Sequence, residues 1–333
     1  MIGISNSLSK LTSPLRVGIV GTGFVAKLRA EILSQDPRVQ LKAIAGSADK
    51  ANALAQAFNI EAHSYWSELV VRPDLDLVVV ANVNRDHGAV VAQALRAGKH
   101  VIVEYPLAFS YFEAEALVQL AQANHLLLHV EHLELLGAVH QTVTKVLPDL
   151  GEPFYARYVT QNPQRPAPDK WTYMPELFGF PLVAAVSRVH RLTALFGKVK
   201  SVACQLRYQG DALPRRYTSC ICNAQLQFVS GLVADISYSK GEHLWKSERS
   251  MEIQGSSGAV LFEGESGKLI TADGETVLTV DSPKGLFKRD TENVLDYLFD
   301  GVPLYTNSDS SLHAIAVACA AEKAAKTNTV IEV

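Results

Sequence analysis

Between residues 16 and 130, short apolar, β-branched runs alternate with helix-forming stretches, and this alternation constrains the fold more than any other feature of the chain. "RVGIV" (16–20) reads as a buried strand bounded by glycine, and a helix is expected from Phe24 to Gln35. "LKAIAG" (41–46) and the alanine-rich "DKANALAQAF" (49–58) repeat the strand–helix pair. "LDLVVVA" (75–81) precedes "DHGAVVAQALRAG" (86–98), whose Gly98 is a helix stop. "HVIVE" (100–104), "YFEAEALVQLAQANH" (111–125) and "LLLHV" (126–130) complete the series. Strands separated by helices build a parallel sheet with helices on both faces.

After residue 130 the pattern changes. A helix is expected over Leu133–Val146, followed by longer strands: "FYARYVTQ" (154–161), "KSVACQLRYQ" (200–209), "RYTSCICNAQLQF" (216–228), "GLVADISYS" (231–239) and "RSMEIQG" (249–255). "GSSG" (255–258), "GESG" (264–267) and "ADGE" (272–275) are turn sequences, and strands joined by short turns pair antiparallel. Helical stretches at about 287–299 and 309–326 end the chain. The expected organisation is α/β: a loosely held tail over 1–15, a doubly wound Rossmann domain over 16–130, and an α+β domain on a large, mostly antiparallel sheet over 131–333.

"VGIVGTGFVA" sets G-x-G-x-x-A at Gly21, Gly23 and Ala26, directly after the first strand and opening the first helix. Gly21 permits the tight turn, Gly23 lets backbone approach a pyrophosphate, and Ala26 lets the helix pack close to the sheet. The helix N-terminus, beginning at Phe24, offers N–H groups to the anion. The end of the second strand distinguishes the cofactors, because an acid there bonds a ribose 2′-hydroxyl and repels a 2′-phosphate. Gly46 and Ser47 stand at that place with Lys50 in reach, which favours NADPH, NADH being the alternative. Asp49 complicates the reading, since it can also cap the second helix. Asn82 and Asn84, in the loop after "VVVA", are candidates for the ribose or nicotinamide, and His87 is a helix-start residue beside them.

The formal net charge of −3 provides no basic footprint for nucleic acid. No run approaches the roughly 18 apolar residues of a membrane span, and the first fifteen residues lack the pattern of a signal peptide. The four cysteines, Cys204, Cys220, Cys222 and Cys319, include no C-x-x-C pair and no zinc spacing, so buried free thiols in a reducing cytoplasm are expected, with no metal.

The glycine turn, "GKHVIVEYP" and the long second sheet resemble the glucose-fructose oxidoreductase / inositol dehydrogenase / MocA family across nearly the whole chain. That family mostly oxidises sugars and cyclitols, using the lysine of an E-K-P segment and often the Asp and His of a D-x-x-x-H segment. Here the lysine is replaced by Tyr105, the Asp by Val183 and the His by Ser187. A tyrosine with pKa near 10 is a poor base at pH 7. At these departures the chain is similar to the biliverdin reductase branch, through "GKHVIVEYPLAFS" (98–110), "LLLHVEHLELL" (126–136), "FGFPLVAAVSRVHRLTALFG" (178–197) and the glycine turn. Val130 departs from the acidic residue of mammalian versions.

The resemblance implies NADPH-dependent reduction of biliverdin IXα to bilirubin, a step of tetrapyrrole metabolism after heme degradation. Hydride goes to the C10 methine bridge and a proton to a pyrrole nitrogen, so no alcohol is ionised. Tyr105 then serves as an aromatic wall and hydrogen-bond donor. Arg188 ranks first at the reaction centre, as a propionate ligand, a stabiliser of developing charge, or a group that polarises a proton-delivering water. Arg191, one helical turn on, either holds the second propionate or faces solvent. Glu104, Glu131 and Glu134 are candidate acids; Glu131 and Glu134, three apart, are neighbours if a helix already runs there, and two nearby carboxylates can leave one proton available near neutrality, the alternative being a solvated acidic face or a helix cap. His129 and His132 are candidate relays or hydrogen-bond anchors. The alternatives are another oxidoreductase of the same fold acting on a sugar or cyclitol, and a non-catalytic dinucleotide sensor. A monomer or homodimer without nucleic-acid or membrane partners is expected.

Overall fold

The computed structural model describes residues 13–210, 215–280 and 284–333. The first twelve residues of the expected tail lie outside the described residues. Strand β1 (Leu15–Val20) follows, then α1 (Phe24–Gln35), β2 (Val39–Ala45), α2 (Ala48–Phe58), β3 (Glu61–His63), α3 (Trp66–Val70) and β4 (Leu77–Val80). A single 3-10 turn, Asn84–Asp86, leads into α4 (His87–Arg96), β5 (His100–Val103), α5 (Tyr111–Ala123) and β6 (Leu128–Val130). The six strands form one sheet in the order β3-β2-β1-β4-β5-β6, and every neighbouring pair is parallel. The short β3 and α3 are the two elements that periodicity misses, three and five residues being too few to show a period.

The expected helix over Leu133–Val146 is two, α6 (Leu133–Leu136) and α7 (Ala138–Val146), interrupted at Gly137, which has extended backbone. Then come β7 (Pro153–Pro163), α8 (Pro175–Phe178), α9 (Pro181–Ala184), α10 (Ser187–Phe196), β8 (Val199–Gln209), β9 (Ser219–Phe228), β10 (Val233–Gly241) and β11 (Glu248–Gly255). The hairpin strands β12 (Gly258–Glu263), β13 (Ser266–Thr271) and β14 (Gly274–Leu278) precede α11 (Leu286–Asp300), α12 (Ser308–Thr327) and β15 (Ile331–Glu332). Nine strands make the second sheet, in the order β14-β13-β12-β11-β7-β10-β9-β8-β15. Its only parallel pair among the described residues is β7 with β10. Strand β9 alternates buried and exposed positions, which places Cys220 and Cys222 together on the covered face. All four cysteines are free thiols.

The chain divides into two compact units, and the division is not one cut. The first holds the residues up to Leu133 together with Gly285–Ser308; the second holds Glu134–Lys284 and Asp309–Val333. Helix α11 therefore belongs with the Rossmann sheet. The cause lies in its own pattern: Val294, Leu295 and Leu298 share one face and enter the same core as Ala26, Ala30 and Leu33 of α1. A fully buried Val or Leu is worth about 1.5–3 kcal/mol, so three of them hold this helix firmly in place. No helix of the described residues is long and apolar enough to cross a membrane.

Candidate functional site

The nucleotide end of the first unit follows from its glycines. Gly21 has φ +130°, and a Cβ there would lie 2.2 Å from the Ala81 carbonyl oxygen. Only glycine allows β1 to turn into α1 so close to β4. Gly23 is the N-cap of α1, and nothing lies within 4 Å of where its Cβ would be. No side chain caps α1 and no acid occupies its first turn, so no side chain accepts at its N-cap. Phe24 itself is largely exposed, while Ala26 is buried against the sheet. The Asn82 Oδ1 is buried with no hydrogen-bond partner among the described residues. A glycine cradle, an uncapped helix start and an orphaned amide oxygen fit a dinucleotide.

Ser47 is the N-cap of α2, and its side chain makes no capping bond. It is exposed together with Asp49, in the first turn, and Lys50. Gly46 leaves room for Thr22, whose Cγ2 would sit 2.5 Å from a Cβ. Asn84 is buried in the 3-10 turn. His87, the first residue of α4, is buried; its Nδ1 lies 2.8 Å from the Pro106 carbonyl and its Nε2 3.3 Å from that of Asn82. Burial is the largest influence and holds its pKa below the ordinary value. The ring, set between these two carbonyls, ties the loop after β5 to the loop after β4.

Tyr105 is half-buried in the loop after β5, and its ring lies parallel to that of His132, 2° between planes and 6.2 Å between centroids. Behind this pair is a charged network that sequence reasoning misses. Arg29 of α1 is fully buried. Its Nε and Nη2 donate to Glu104 Oε1 at 3.0 and 2.9 Å, and its Nη1 donates to Asp290 Oδ2 at 2.5 Å and to Thr291 Oγ1 at 2.8 Å. Asp290 Oδ1 accepts from His129 Nε2 at 2.8 Å and from the Tyr305 hydroxyl at 2.7 Å. The Tyr305 oxygen accepts the His132 backbone N–H at 3.0 Å. Burial opposes ionisation of Asp290, but Arg29 and His129 outweigh it and hold its carboxyl far below the carboxylate range. Burial, then Asp290, raises the Tyr305 hydroxyl well above its ordinary value. Glu104 is thus the ion-pair partner of a buried arginine. Glu131 is also buried and accepts the Leu133 N–H.

The second unit carries the arginines. Arg188 is the second residue of α10; its Nη1 lies 2.8 Å from Ser187 Oγ and 3.4 Å from Glu134 Oε1, and its guanidinium stands 5.9 Å over the Tyr238 ring. Arg191 is 3% exposed, so the solvent-facing alternative is overturned. Its Nη2 donates to the Glu134 carbonyl at 3.4 Å, its guanidinium lies 5.1 Å over Tyr158, and its Nε has no partner among the described residues. Burial is the largest influence on Glu134 and favours its neutral form, but Arg188, Arg191 and Ser187 together hold the carboxyl below its ordinary value. The expected proton shared between neighbouring acids therefore does not reside on Glu134. Val183 and Ser187, where the family places its Asp and His, are buried. His140 and His190 line the same interior, pushed down to about 3 and about 4, chiefly by burial.

A sequence signal for the missed network exists in hindsight: Arg29 and Asp290 are charges on otherwise buried helix faces, beside Ala26, Ala30 and Leu33 in one helix and Val294, Leu295 and Leu298 in the other. Among the described residues no group of three His, Cys, Asp or Glu side chains could hold a metal ion.

Comparison with known proteins matches residues 15–132 to the oxidoreductase family with NAD-binding Rossmann fold, GFO/IDH/MocA, and residues 148–333 to the C-terminal α/β domain of that family. A crystal structure of biliverdin reductase from Synechocystis sp. PCC 6803, in complex with biliverdin and NADP+, is 46% identical, covers 94% of this chain and 100% of its own, and has a TM-score of 0.92. Mouse biliverdin reductase A is 32% identical over 133 residues, 39% of this chain and 41% of that protein. The human protein matches over 47% of its length, so the matched stretch spans less than half of either mammalian relative. The dTDP-3,4-didehydro-2,6-dideoxy-alpha-D-glucose 3-reductase of Actinomadura kijaniata is 30% identical over 254 residues, 74% of each chain.

Proposed function

The chain belongs to the GFO/IDH/MocA oxidoreductase family, with an NAD(P)-binding Rossmann domain, and we propose that it reduces biliverdin IXα to bilirubin with NADPH. The observation that carries this reading is the 46% identity, over 94% of the chain, with a biliverdin reductase bound to biliverdin and NADP+. The side chains agree with it. Tyr105, Val183 and Ser187 stand where alcohol-oxidising relatives keep groups that ionise a hydroxyl, and reduction of a methine bridge needs no such group.

Biliverdin, NADPH and one proton give bilirubin and NADP+. Bound NADPH supplies the hydride, which goes to the C10 methine carbon. Gly21, Gly23 and the start of α1 hold the pyrophosphate, and Ser47 with Lys50 receives the 2′-phosphate. Asn82 and Asn84 serve the ribose and nicotinamide side. Tyr105, backed by the parallel His132 ring, offers a flat wall to a conjugated ligand. Arg188 stays protonated and offsets negative charge that builds on the tetrapyrrole as C10 is reduced. Glu134 and Ser187 hold its guanidinium, and buried Arg191 supplies a second cation for a propionate.

Mixing the protein with NADPH and biliverdin tests this directly. Loss of the blue-green band and growth of a yellow product is the expected result. No spectral change between pH 5 and 8 would end the proposal. The Actinomadura relative favours a second reading, reduction of a nucleotide-linked keto sugar; NADPH oxidation by such a sugar, without turnover of biliverdin, would establish it instead.

A further inference from the structure

Two separate lines of contact run from Asp290 to Tyr105, both inside the first unit. One passes through Arg29, whose Nη1 is bound to Asp290 and whose Nε and Nη2 grip Glu104, the residue covalently joined to Tyr105. The other passes through the Tyr305 hydroxyl, which donates to Asp290 Oδ1 and accepts the N–H of His132, whose ring lies parallel to Tyr105. His129 closes the arrangement by donating to the same Asp290 oxygen and meeting the Tyr305 ring edge-on at 5.5 Å. Asp290 is separated by 261 residues from Arg29 and 161 from His129, and it is fully buried. An acid so placed, bonded on both oxygens and joined to a fully buried arginine, has no freedom to change rotamer without leaving charges unpaired.

We infer that Asp290, on α11, and Tyr305, in the segment that follows α11, are positioning residues for the reduction, holding the Tyr105–His132 pair in its parallel arrangement from outside the N-terminal sequence of the Rossmann domain. The inference rests on the proposed function. Arg29 and Glu104 set the backbone path into Tyr105, and Tyr305 fixes the path of the chain at His132. With both ends held, the Tyr105 ring is presented at one tilt, and a flat ligand meets a flat wall. Neither Asp290 nor Tyr305 is required to touch substrate or cofactor for this role.

The sharp test is Tyr305→Phe, which keeps the ring and removes the oxygen linking Asp290 to His132. The full-length protein carries 3-fluorotyrosine, and the Tyr105 resonance is assigned by its loss in Tyr105→Phe. The expected result is a shifted or broadened Tyr105 fluorine signal, a fall in kcat of about tenfold, the equivalent of one ordinary hydrogen bond, and an unchanged KM for NADPH within twofold. The fall in kcat is expected to vanish when Tyr305→Phe is made in a Tyr105→Ala background, because the wall being positioned is already gone. Glu104→Gln probes the other line and is expected to move the same fluorine signal, so the inference stays testable if either variant folds poorly. An unchanged Tyr105 signal in both variants, unchanged kcat in both, or additive effects in the Tyr105→Ala background would overturn it. The fluorine measurement needs no substrate. Failure of the wild-type protein to reduce biliverdin would refute the proposed function, while the fluorine signal would still decide whether Tyr305 and Glu104 set the Tyr105 ring.

Discussion

Replacing Arg29 by Met removes a buried cation from between two carboxylates, and its cost follows from what is left behind. Met fills much the same volume, so packing changes little. The loss is electrostatic: Glu104 loses both bonds from Arg29, and Asp290 loses its ion pair, as does the Thr291 hydroxyl its donor. Glu104 is 13% exposed at its side chain and recovers some hydration. Asp290 is fully buried and keeps only His129 and Tyr305. Removing one partner of a buried pair costs about 3–5 kcal/mol, and the partial hydration of Glu104 places the expected loss near the lower figure, about 3 kcal/mol. For a unit of this size that is a fall of roughly 10 °C in the midpoint of its thermal transition. The assay is thermal and urea unfolding at pH 7, followed by circular dichroism, with Asp290→Asn made alone and together with Arg29→Met. Neutralising Asp290 removes the stranded charge, so the double variant is expected to recover about 1–3 kcal/mol relative to the sum of the single ones. The pH dependence has a defined sign. Asp290 has a folded pKa below its unfolded value of about 3.9, so its contribution is complete above about pH 5 and is lost as pH falls through the folded value. Arg29→Met is therefore expected to flatten the decline of stability in that acid range. A midpoint within 2 °C of wild type, or strict additivity with Asp290→Asn, would refute the reasoning.

Arg188→Ala is expected to lower kcat for biliverdin at least tenfold with little effect on NADPH binding, and a near-wild-type kcat in stopped-flow turnover would remove it from the reaction centre. Ser47→Asp sets a carboxylate at the end of β2 and is expected to lower kcat/KM with NADPH by ten- to a hundredfold while NADH is affected far less; steady-state kinetics with both cofactors checks it, and equal losses would show that this position does not meet the 2′-phosphate. Glu134→Gln keeps an oxygen for Arg188 but removes the charge, and is expected to lower kcat about three- to tenfold. Because Arg188, Arg191 and Ser187 hold the Glu134 carboxyl below its ordinary value, Glu134 stays ionised from pH 7 down to about 5 and contributes no acid limb there. A wild-type limb near pH 6 that disappears in Glu134→Gln would contradict that assignment.

What could be read along the chain was whatever depends on neighbours in sequence. Strand and helix periods are local, so β1, α1, β2, α2, β4, β5, α5 and β6 were legible from side-chain spacing alone, as was the glycine turn that a pyrophosphate requires. The replacement of ionisable groups by Tyr105, Val183 and Ser187 was equally visible, and it already spoke against alcohol oxidation. Burial and long-range pairing were not. Periodicity marks an Arg on a helix as a surface residue, yet Arg29 and Arg191 are interior, because each has partners contributed by distant segments. Glu104 and Glu134 looked like available acids because nothing nearby in sequence neutralises them; folding brings Arg29 to the one and Arg188 with Arg191 to the other. The return of α11 to the first unit, which delivers Asp290 to Arg29 and His129, was decided by tertiary packing alone, since only folding makes residues 261 and 161 positions apart share one dry interior in which unpaired charge is too costly to leave.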